Sequence, residues 1–289
     1  MSHLGFQNGT ADTPTLRGAS PSSRLHMESP AALPPETLEG WYALHQLYTL
    51  ERRMIRSLAP DVMRDLRCAT ADNLAAITRH DGDGWSAVVS LVGSTADVLF
   101  IHFRPTLDEL RDVQHRVDRL DVMEYLRPTM YFLSVTELGL YQLAAHGQDD
   151  PQREARLRAE RESPHTLRRL YPPIPENMPY VSFYPMSKRR DTGQNWYTLP
   201  LQDRSRLMHS HGLTGRRYAG RVTQIITGAI GLDRWEWGVT LFAKDPVDFK
   251  KLVTEMRFDE ASAKYADFGD FYVGRLVEPD AWAEQAISR

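Results

Sequence analysis

The feature that most constrains the fold is an order of predicted strands and helices that occurs twice along the 289 residues. Alternating apolar positions predict strands, whereas apolar positions three or four residues apart predict helices. Both halves of the chain follow the order strand, helix, strand, strand, helix, strand. Strand-to-helix junctions that begin at Phe103 and Phe242 occupy equivalent places in the two halves. This repetition predicts an α+β fold in which duplicated ferredoxin-like βαββαβ units form a dimeric α+β barrel, with one ligand at a mouth between two packed sheets.

The boundaries of the two predicted units follow changes in composition. Residues 1–37 are rich in proline and serine, which predicts a disordered N-terminal arm. We assign residues 38–148 to the first repeat and residues 149–178 to a linker that is charged and rich in proline. Residues 179–289 form the second repeat, which we expect to contain the ligand site.

Four predictions concern individual elements. The first strand begins at Glu39 and has the alternating pattern of a half-buried strand. In the second repeat, residues 200–211 are predicted to form a helix that is closed by Gly212. Residues 246–266 are predicted to form one further helix, and residues 268–276 the final strand.

Composition excludes several classes of protein. The 35 basic and 38 acidic residues give a formal charge of -3, and no block of five or six like charges suggests binding to nucleic acid or to a membrane surface. Cys68 is the single cysteine, so the chain forms no internal disulfide and no site with several thiolates. We expect Cys68 to be buried and the compartment to be reducing. No apolar run approaches the roughly 18 residues of a membrane helix.

The densest group of polar and aromatic residues lies at positions 183–190. If this stretch is a strand, the side chains of Tyr184, Met186 and Lys188 lie on one face. A phenol that is neutral at physiological pH and an ammonium group would then point the same way. This arrangement suits an anionic ligand, although a basic strand end above a core tyrosine would have the same pattern.

A second candidate is the pair His209 and His211. Positions two apart on a helix point in different directions, so at most one of these histidines binds a metal ion. The alternative is a histidine that interacts with the helix C-terminus beside Gly212. Gln224 lies near the start of an otherwise apolar strand, where it would either complete a hydrogen bond at a sheet edge or present a neutral amide to a cavity.

Five short strings occur in the order in which they occur in a known family. Together they resemble the coproheme-decarboxylating, Gram-positive-type branch of the chlorite dismutase family. The resemblance covers residues 38–277 and is strongest after Tyr171. The strings lie at residues 183–190, 195–197, 211–216, 235–242 and 256–260.

The resemblance implies a role for each candidate residue toward a bound iron porphyrin. His211 would be the axial iron ligand, and Tyr184 the catalytic residue. Gln224 would lie on the distal side of the iron, where chlorite-degrading relatives have an arginine. Arg168 is an alternative to Arg169 as a propionate contact. The residues implied to bind the porphyrin substrate are Arg169, Tyr184, Pro185, Met186, Ser187, Lys188, Gln224 and Ser262.

The resemblance also implies an activity. Hydrogen peroxide would drive oxidative decarboxylation of two propionates of Fe-coproporphyrin III (coproheme), through a tyrosyl radical on Tyr184 and a monovinyl intermediate, to give haem b. It implies a homopentamer, and we expect a cytoplasmic location, no nucleic-acid partner and no transmembrane segment. Two alternatives stay open: a haem-binding peroxidase or chlorite-decomposing enzyme, and a non-catalytic haem carrier of the same fold.

Overall fold

The computed structural model describes residues 33–79, 82–141 and 152–288. Most of the predicted N-terminal arm, residues 1–32, lies outside the described residues, as do residues 142–151 around the start of the predicted linker. The strands are β1 (Thr37–Leu50), β2 (Trp85–Leu91), β3 (Val98–Arg104), β4 (Leu126–Gly139), β5 (Tyr180–Lys188), β6 (Arg190–Asp191), β7 (Gln194–Asn195), β8 (Val222–Gly228), β9 (Trp237–Ala243), β10 (Ala266–Phe268) and β11 (Tyr272–Val277). The α-helices are α1 (Arg52–Arg56), α2 (Pro60–Thr78), α3 (Leu107–Asp118), α4 (Arg153–Arg161), α5 (Pro164–Leu170), α6 (Leu201–Arg216), α7 (Val247–Arg257), α8 (Glu260–Ala263) and α9 (Pro279–Ala286).

The strand order confirms the predicted duplication. In the first repeat β1 pairs with β3 and β4, and β3 pairs with β2, which gives the order β4-β1-β3-β2. In the second repeat β5 pairs with β9 and β11, and β9 pairs with β8, so the order is β11-β5-β9-β8. Both orders are those of a βαββαβ unit of the ferredoxin type.

Two further strand pairs join the repeats into one closed sheet. β4 pairs with β8 through Val135 and Thr136, and β11 pairs with β2 through residues 274–277. Every pair is antiparallel, and the pairing of β5 with β9 completes the ring. Short β10 extends the sheet beside the end of β5. The ring leaves two surfaces for packing, one inside the barrel and one beneath the helices.

Side chains from both repeats fill the interior of the barrel. His45 stacks on Phe183 with 4.2 Å between ring centroids, and Phe103 and Phe132 contact the same imidazole edge to face. The expectation that a ligand sits at a mouth between two sheets is therefore wrong, because this space is packed. β1 is also buried on both faces along residues 43–48, rather than half-buried, since helices cover its outer face.

Two predicted helix ends differ from the structure. Helix α6 does not end at Gly212 but continues to Arg216, and the glycine with a positive φ of 79° is Gly220, where the chain turns toward β8. The helix predicted over residues 246–266 breaks after Arg257, and the chain resumes as the short α8 and then as β10.

Cys68 is exposed, contrary to expectation, because it lies on the solvent side of α2 while Leu66 and Thr70 face the core. Within the range predicted as a linker, the chain forms α4 and α5. No helix in the described part of the chain is long and apolar enough to cross a membrane.

Two buried histidines make the stability of this fold depend on pH. Burial lowers the pKa of His45 and of His102 from 6.5 to about 3. Between these values only the unfolded chain binds the proton, so stability should fall on acidification below pH 6.5 by about 1.4 kcal/mol per pH unit for each histidine. Denaturant unfolding at a series of pH values measures this slope. His45→Gln keeps a group able to form a hydrogen bond with Thr240 but cannot bind the proton, so it should remove the contribution of one histidine to the slope. An unchanged slope would contradict the lowered pKa of His45.

Candidate functional site

The candidate side chains of β5 lie on the outer face of the second repeat, beneath its helices. Tyr184 and Met186 pack in the cluster formed with Val239 of β9 and Leu252 of α7. Lys188 is also buried, two positions further along the same face. The alternation of the strand thus brings the phenol and the ammonium group into one layer, as the sequence predicted.

Lys188 has an ammonium group that lacks a close counter-ion. Its Nζ donates to the carbonyl oxygen of Ala261 at 3.1 Å and lies 4.1 Å from the centroid of the Trp196 ring. Burial lowers the pKa of this amine to about 8, while the carboxylates of Asp259 and Glu236 oppose the shift. Among the described residues no carboxylate oxygen lies within 4 Å of Nζ, so the charge is available for an anionic ligand.

His211 has the side-chain geometry that is typical of a metal-binding histidine. Its Nδ1 lies 2.8 Å from Oδ2 of Asp259, whose side chain is only 5% exposed. This hydrogen bond requires a proton on Nδ1, which leaves the lone pair of Nε2 free in the neutral ring. Metal-binding histidines are commonly held by a carboxylate in this way. His209, in contrast, is exposed on another side of α6.

Tyr184 is 8% exposed and stacks on Phe271 with 4.3 Å between ring centroids. Burial raises the pKa of its phenol above the ordinary value, and the nearby guanidinium of Arg257 partly opposes this shift. The phenol therefore carries its hydrogen at neutral pH. Arg257 lies over Phe268 at 3.8 Å and forms no ion pair with any residue that the structure describes.

Gln224 projects from β8 toward α6. A methyl group placed on Gly215 would lie 3.5 Å from Nε2 of Gln224 and 3.4 Å from Cε of Met256. Gly215 is one turn beyond His211, so the amide and the imidazole approach the same layer from a strand and from a helix. The distal position of Gln224 relative to a bound iron stays a prediction.

The remaining candidates of the 183–190 string and of α8 divide between the two faces of β5. Ser262 is buried in α8, next to the carbonyl that binds Lys188. Pro185 and Ser187 alternate with the residues of the ligand face, and the hydroxyl of Ser187 lies 3.3 Å from the main-chain nitrogen of Glu236. Ser262 therefore lies beside the residue that binds Lys188, whereas Pro185 and Ser187 point to the other face of β5, and their contacts with a substrate stay predictions.

Arg168 and Arg169 are both exposed in the last turn of α5. That helix packs on the first repeat, where the hydroxyl of Thr136 donates to the carbonyl oxygen of Leu170 at 2.7 Å. Neither guanidinium forms a hydrogen bond or an ion pair with residues 33–79, 82–141 or 152–288. The choice between the two arginines as a propionate contact stays a prediction.

Four residues that contact the candidates were not assigned a role from sequence. They are Trp196, Glu236, Arg257 and Asp259, and each lies inside one of the short strings quoted above. In the sequence, each of these residues is a charged or aromatic residue within a polar string. The residue that each one contacts could be identified only from the structure. The part of the chain that the structure describes holds no group of three or more His, Cys, Asp or Glu side chains able to bind a metal ion. A bound iron would therefore take one ligand from His211 and the rest from elsewhere, as in haem proteins.

Comparisons with known proteins add to this geometry. A family model described as chlorite dismutase matches residues 67–277. A coproheme decarboxylase of Staphylococcus saprophyticus is 43% identical over 250 residues, which cover 85% of this chain and 95% of the relative. A coproheme decarboxylase of Staphylococcus carnosus is 42% identical over 247 residues, which cover 84% of this chain and 94% of the relative.

Solved structures with the same fold include two of special interest. A haem-binding protein from Thermus thermophilus superposes with a TM-score of 0.77 at 41% identity and covers 88% of this chain and 97% of its own. A mutant chlorite dismutase from Candidatus Nitrospira defluvii has a TM-score of 0.66 at 18% identity, over 87% of this chain and 97% of its own. The second likeness concerns the fold alone.

Lys188 should titrate well below an ordinary lysine. Because burial outweighs its acidic neighbours, we expect its amine to lose the proton with a midpoint of about 8. The chain has five lysines, so NMR of lysine labelled at the ε-carbon resolves few resonances. The resonance that disappears in Lys188→Arg should titrate at this midpoint, with the other four as internal references. A midpoint near the reference value of about 10.4 would contradict the burial of an unpaired ammonium group.

Proposed function

The chain belongs to the chlorite dismutase family, and we propose that it is a coproheme decarboxylase, which converts Fe-coproporphyrin III to haem b. The observation that carries the proposal is the composition of the layer between β5 and the helices. A buried, protonated phenol and an ammonium group without a close counter-ion face a histidine whose Nε2 is free. Such a layer suits a flat iron porphyrin with several carboxylates.

The residues of this layer fit the substrate in a consistent way. Nε2 of His211 would ligate the iron, while Asp259 fixes the tautomer of the ring and increases its basicity. Lys188 and Ser262 would bind propionates, and we add Arg257 because its guanidinium is close to Tyr184 and has no ion-pair partner in the described part of the chain. A contact from Arg169 remains part of the proposal, as does Gln224 on the distal side.

The chemistry follows from the balance of the reaction. Each turnover would convert one propionate, one proton and one hydrogen peroxide into a vinyl group, carbon dioxide and two molecules of water. Hydrogen peroxide would supply the two-electron oxidising capacity, which the iron porphyrin, as substrate and redox centre, would transfer. Tyr184 would give up the hydrogen atom of its phenol and then take one from the β-carbon of a propionate, which restores the phenol. Departure of carbon dioxide and one electron leaves the vinyl group.

Burial explains why a tyrosine can perform this step. The raised pKa keeps the hydrogen on the oxygen until it is removed, and the stacked Phe271 shields the ring from water. Lys188 would hold the propionate within reach of the phenol. The same cycle at a second propionate, through a monovinyl intermediate, would complete haem b.

Two other functions fit the fold less well. A chlorite-decomposing enzyme would need a charged distal group, whereas Gln224 is neutral. A haem carrier would need neither a buried phenol nor an anchor for a propionate that becomes a vinyl group.

The test of the proposed function is to add ferric coproporphyrin III and hydrogen peroxide to the protein and to follow the mass of the porphyrin. Two successive conversions of propionate to vinyl support the proposal, and a porphyrin of unchanged mass rejects it.

We also propose a homopentamer in the cytoplasm, which the resemblance to the family implies. The mass in solution is measurable by light scattering after size-exclusion chromatography. Five times the 33.1 kDa of one chain is the expected result, and a monomer or dimer would contradict the proposed assembly.

His211→Ala should change the absorption spectrum of bound ferric coproporphyrin III far more than His209→Ala does. The reason is that His211 alone of the pair is oriented by a buried carboxylate. Asp259→Asn should have an intermediate effect, since it weakens the hydrogen bond but leaves the imidazole in place. Equal spectral changes in the two histidine variants would contradict the assignment of the ligand.

Tyr184→Phe should separate binding from chemistry. It keeps the stacking on Phe271 but removes the phenolic hydrogen, so affinity for coproporphyrin should change by about 0.5–1.5 kcal/mol while decarboxylation almost stops. Tyr218→Phe is the matched control, because Tyr218 belongs to the same apolar cluster but its hydroxyl donates to Glu255. Conversion by Tyr184→Phe at the parent rate, measured from the mass of the porphyrin, would exclude the radical role.

A further inference from the structure

Glu236 is a buried acidic residue that forms hydrogen bonds with the end of β5. It immediately precedes β9, and its side chain is only 9% exposed. Its main-chain N–H donates to the carbonyl oxygen of Met186 at 3.0 Å. Its Oε2 accepts the main-chain N–H of Lys188 at 2.6 Å. One residue thus binds β5 on both sides of Ser187.

The strand register explains why a side-chain acceptor is needed there. The ladder between β5 and β9 ends at the pair of Met186 and Trp237. Beyond that pair, the N–H of Lys188 has lost the carbonyl partner that a longer β9 would provide. The side chain of Glu236 replaces that carbonyl with a charged acceptor, which forms a shorter and stronger hydrogen bond. On its other edge, Lys188 pairs with Ala266 of β10.

The contrast between the backbone and the side chain of Lys188 indicates what this arrangement does. The backbone is held from both edges, whereas Nζ has one carbonyl and one ring as its close partners and no carboxylate within ion-pair distance in the described residues. A guanidinium nitrogen of the exposed Arg190 lies 3.6 Å from Oε1 of Glu236. The carboxylate is therefore engaged with the backbone rather than with the ammonium group.

We propose that Glu236 is a positioning residue that fixes the end of β5 and thereby places the ammonium group of Lys188 against a substrate carboxylate. This inference rests on the proposed function, in which Lys188 binds a propionate near Tyr184. A propionate near that phenol is one that becomes a vinyl group. Glu236 therefore serves recognition of porphyrins that still carry this propionate, and discriminates them from the product.

Two substitutions separate positioning from a general effect of charge. Glu236→Gln keeps the length of the side chain and an oxygen that accepts the Lys188 N–H, but removes the charge. Glu236→Asp keeps the charge but is one methylene shorter, so the carboxylate no longer reaches that N–H. If Glu236 positions Lys188, Glu236→Gln should bind coproporphyrin III with the affinity of the parent, and Glu236→Asp with the lower affinity of Lys188→Ala. If only the charge of Glu236 matters, Glu236→Asp should bind like the parent and Glu236→Gln should bind more weakly.

The experiment measures binding of two metal-free porphyrins to the full chain by fluorescence. Coproporphyrin III has four carboxylates, whereas protoporphyrin IX has two and carries vinyl groups at the positions that react. We expect Glu236→Asp to weaken binding of coproporphyrin III about tenfold, as for loss of a charge-assisted contact, with little change for protoporphyrin IX. Adding Lys188→Ala to Glu236→Asp should cause no further loss, since both changes remove the same contact.

The controls exclude indirect effects. Glu109→Ala removes the capping box of α3 in the first repeat, so it lowers stability without touching β5, and should leave both affinities unchanged. Equal weakening for both porphyrins, additive losses in the double variant, or loss in Glu236→Gln would each overturn the proposal. If Glu236→Asp does not fold, the affinities of Glu236→Gln still test the proposal, because a loss of binding in that variant would overturn it. Failure of the parent to convert ferric coproporphyrin III with peroxide would reject the proposed function separately, since these binding measurements require no turnover.

Discussion

The closed ring of antiparallel strands is the constraint on which the rest of the structure depends. Once β4 pairs with β8 and β11 pairs with β2, both edges of each long strand are committed to main-chain hydrogen bonds. The inner surface must then be filled, and residues of both repeats, including His45 and Phe183, pack there. A large ligand can only enter a layer between the sheet and the helices, so the position of the site follows from closure of the sheet.

The layer between the sheet and the helices contains different side chains in the two repeats. In the strand registers, Gln46 of the first repeat corresponds to Tyr184 of the second, since each pairs with the third residue of its partner strand, Phe100 of β3 or Val239 of β9. Phe100 is buried under α2 and α3 together with Tyr48, and bulky side chains close the layer. The smaller Val239 leaves Tyr184 facing its helices. One topology, built twice, thus gives a layer packed around Tyr48 and Phe100 in the first repeat and a layer that contains the candidate residue Tyr184 in the second.

The features of the fold that depend on periodicity could be predicted from the sequence. The features that depend on a contact between residues far apart in the chain could not. Alternation placed Tyr184, Met186 and Lys188 on one face, and the repeated order of elements gave the topology. Neither could reveal that the helix after Pro246 ends at Arg257, or that Asp259 beyond this end contacts the imidazole of His211 on another helix. The choice between His209 and His211 likewise came from the resemblance, since spacing alone left both open. Roles of Arg169 and Gln224 depend on a ligand and stay predictions.

The break between α7 and α8 has a consequence for how such a site can evolve. Within seven consecutive residues, positions 256–262 carry the carboxylate that orients His211, the carbonyl oxygen that binds Lys188 and the guanidinium beside Tyr184. An inserted or deleted residue would rotate all three groups together, whereas replacements that keep the length alter them one at a time. The length of the segment is therefore a constraint that the three groups share, and we expect changes of specificity within it to require substitution rather than insertion.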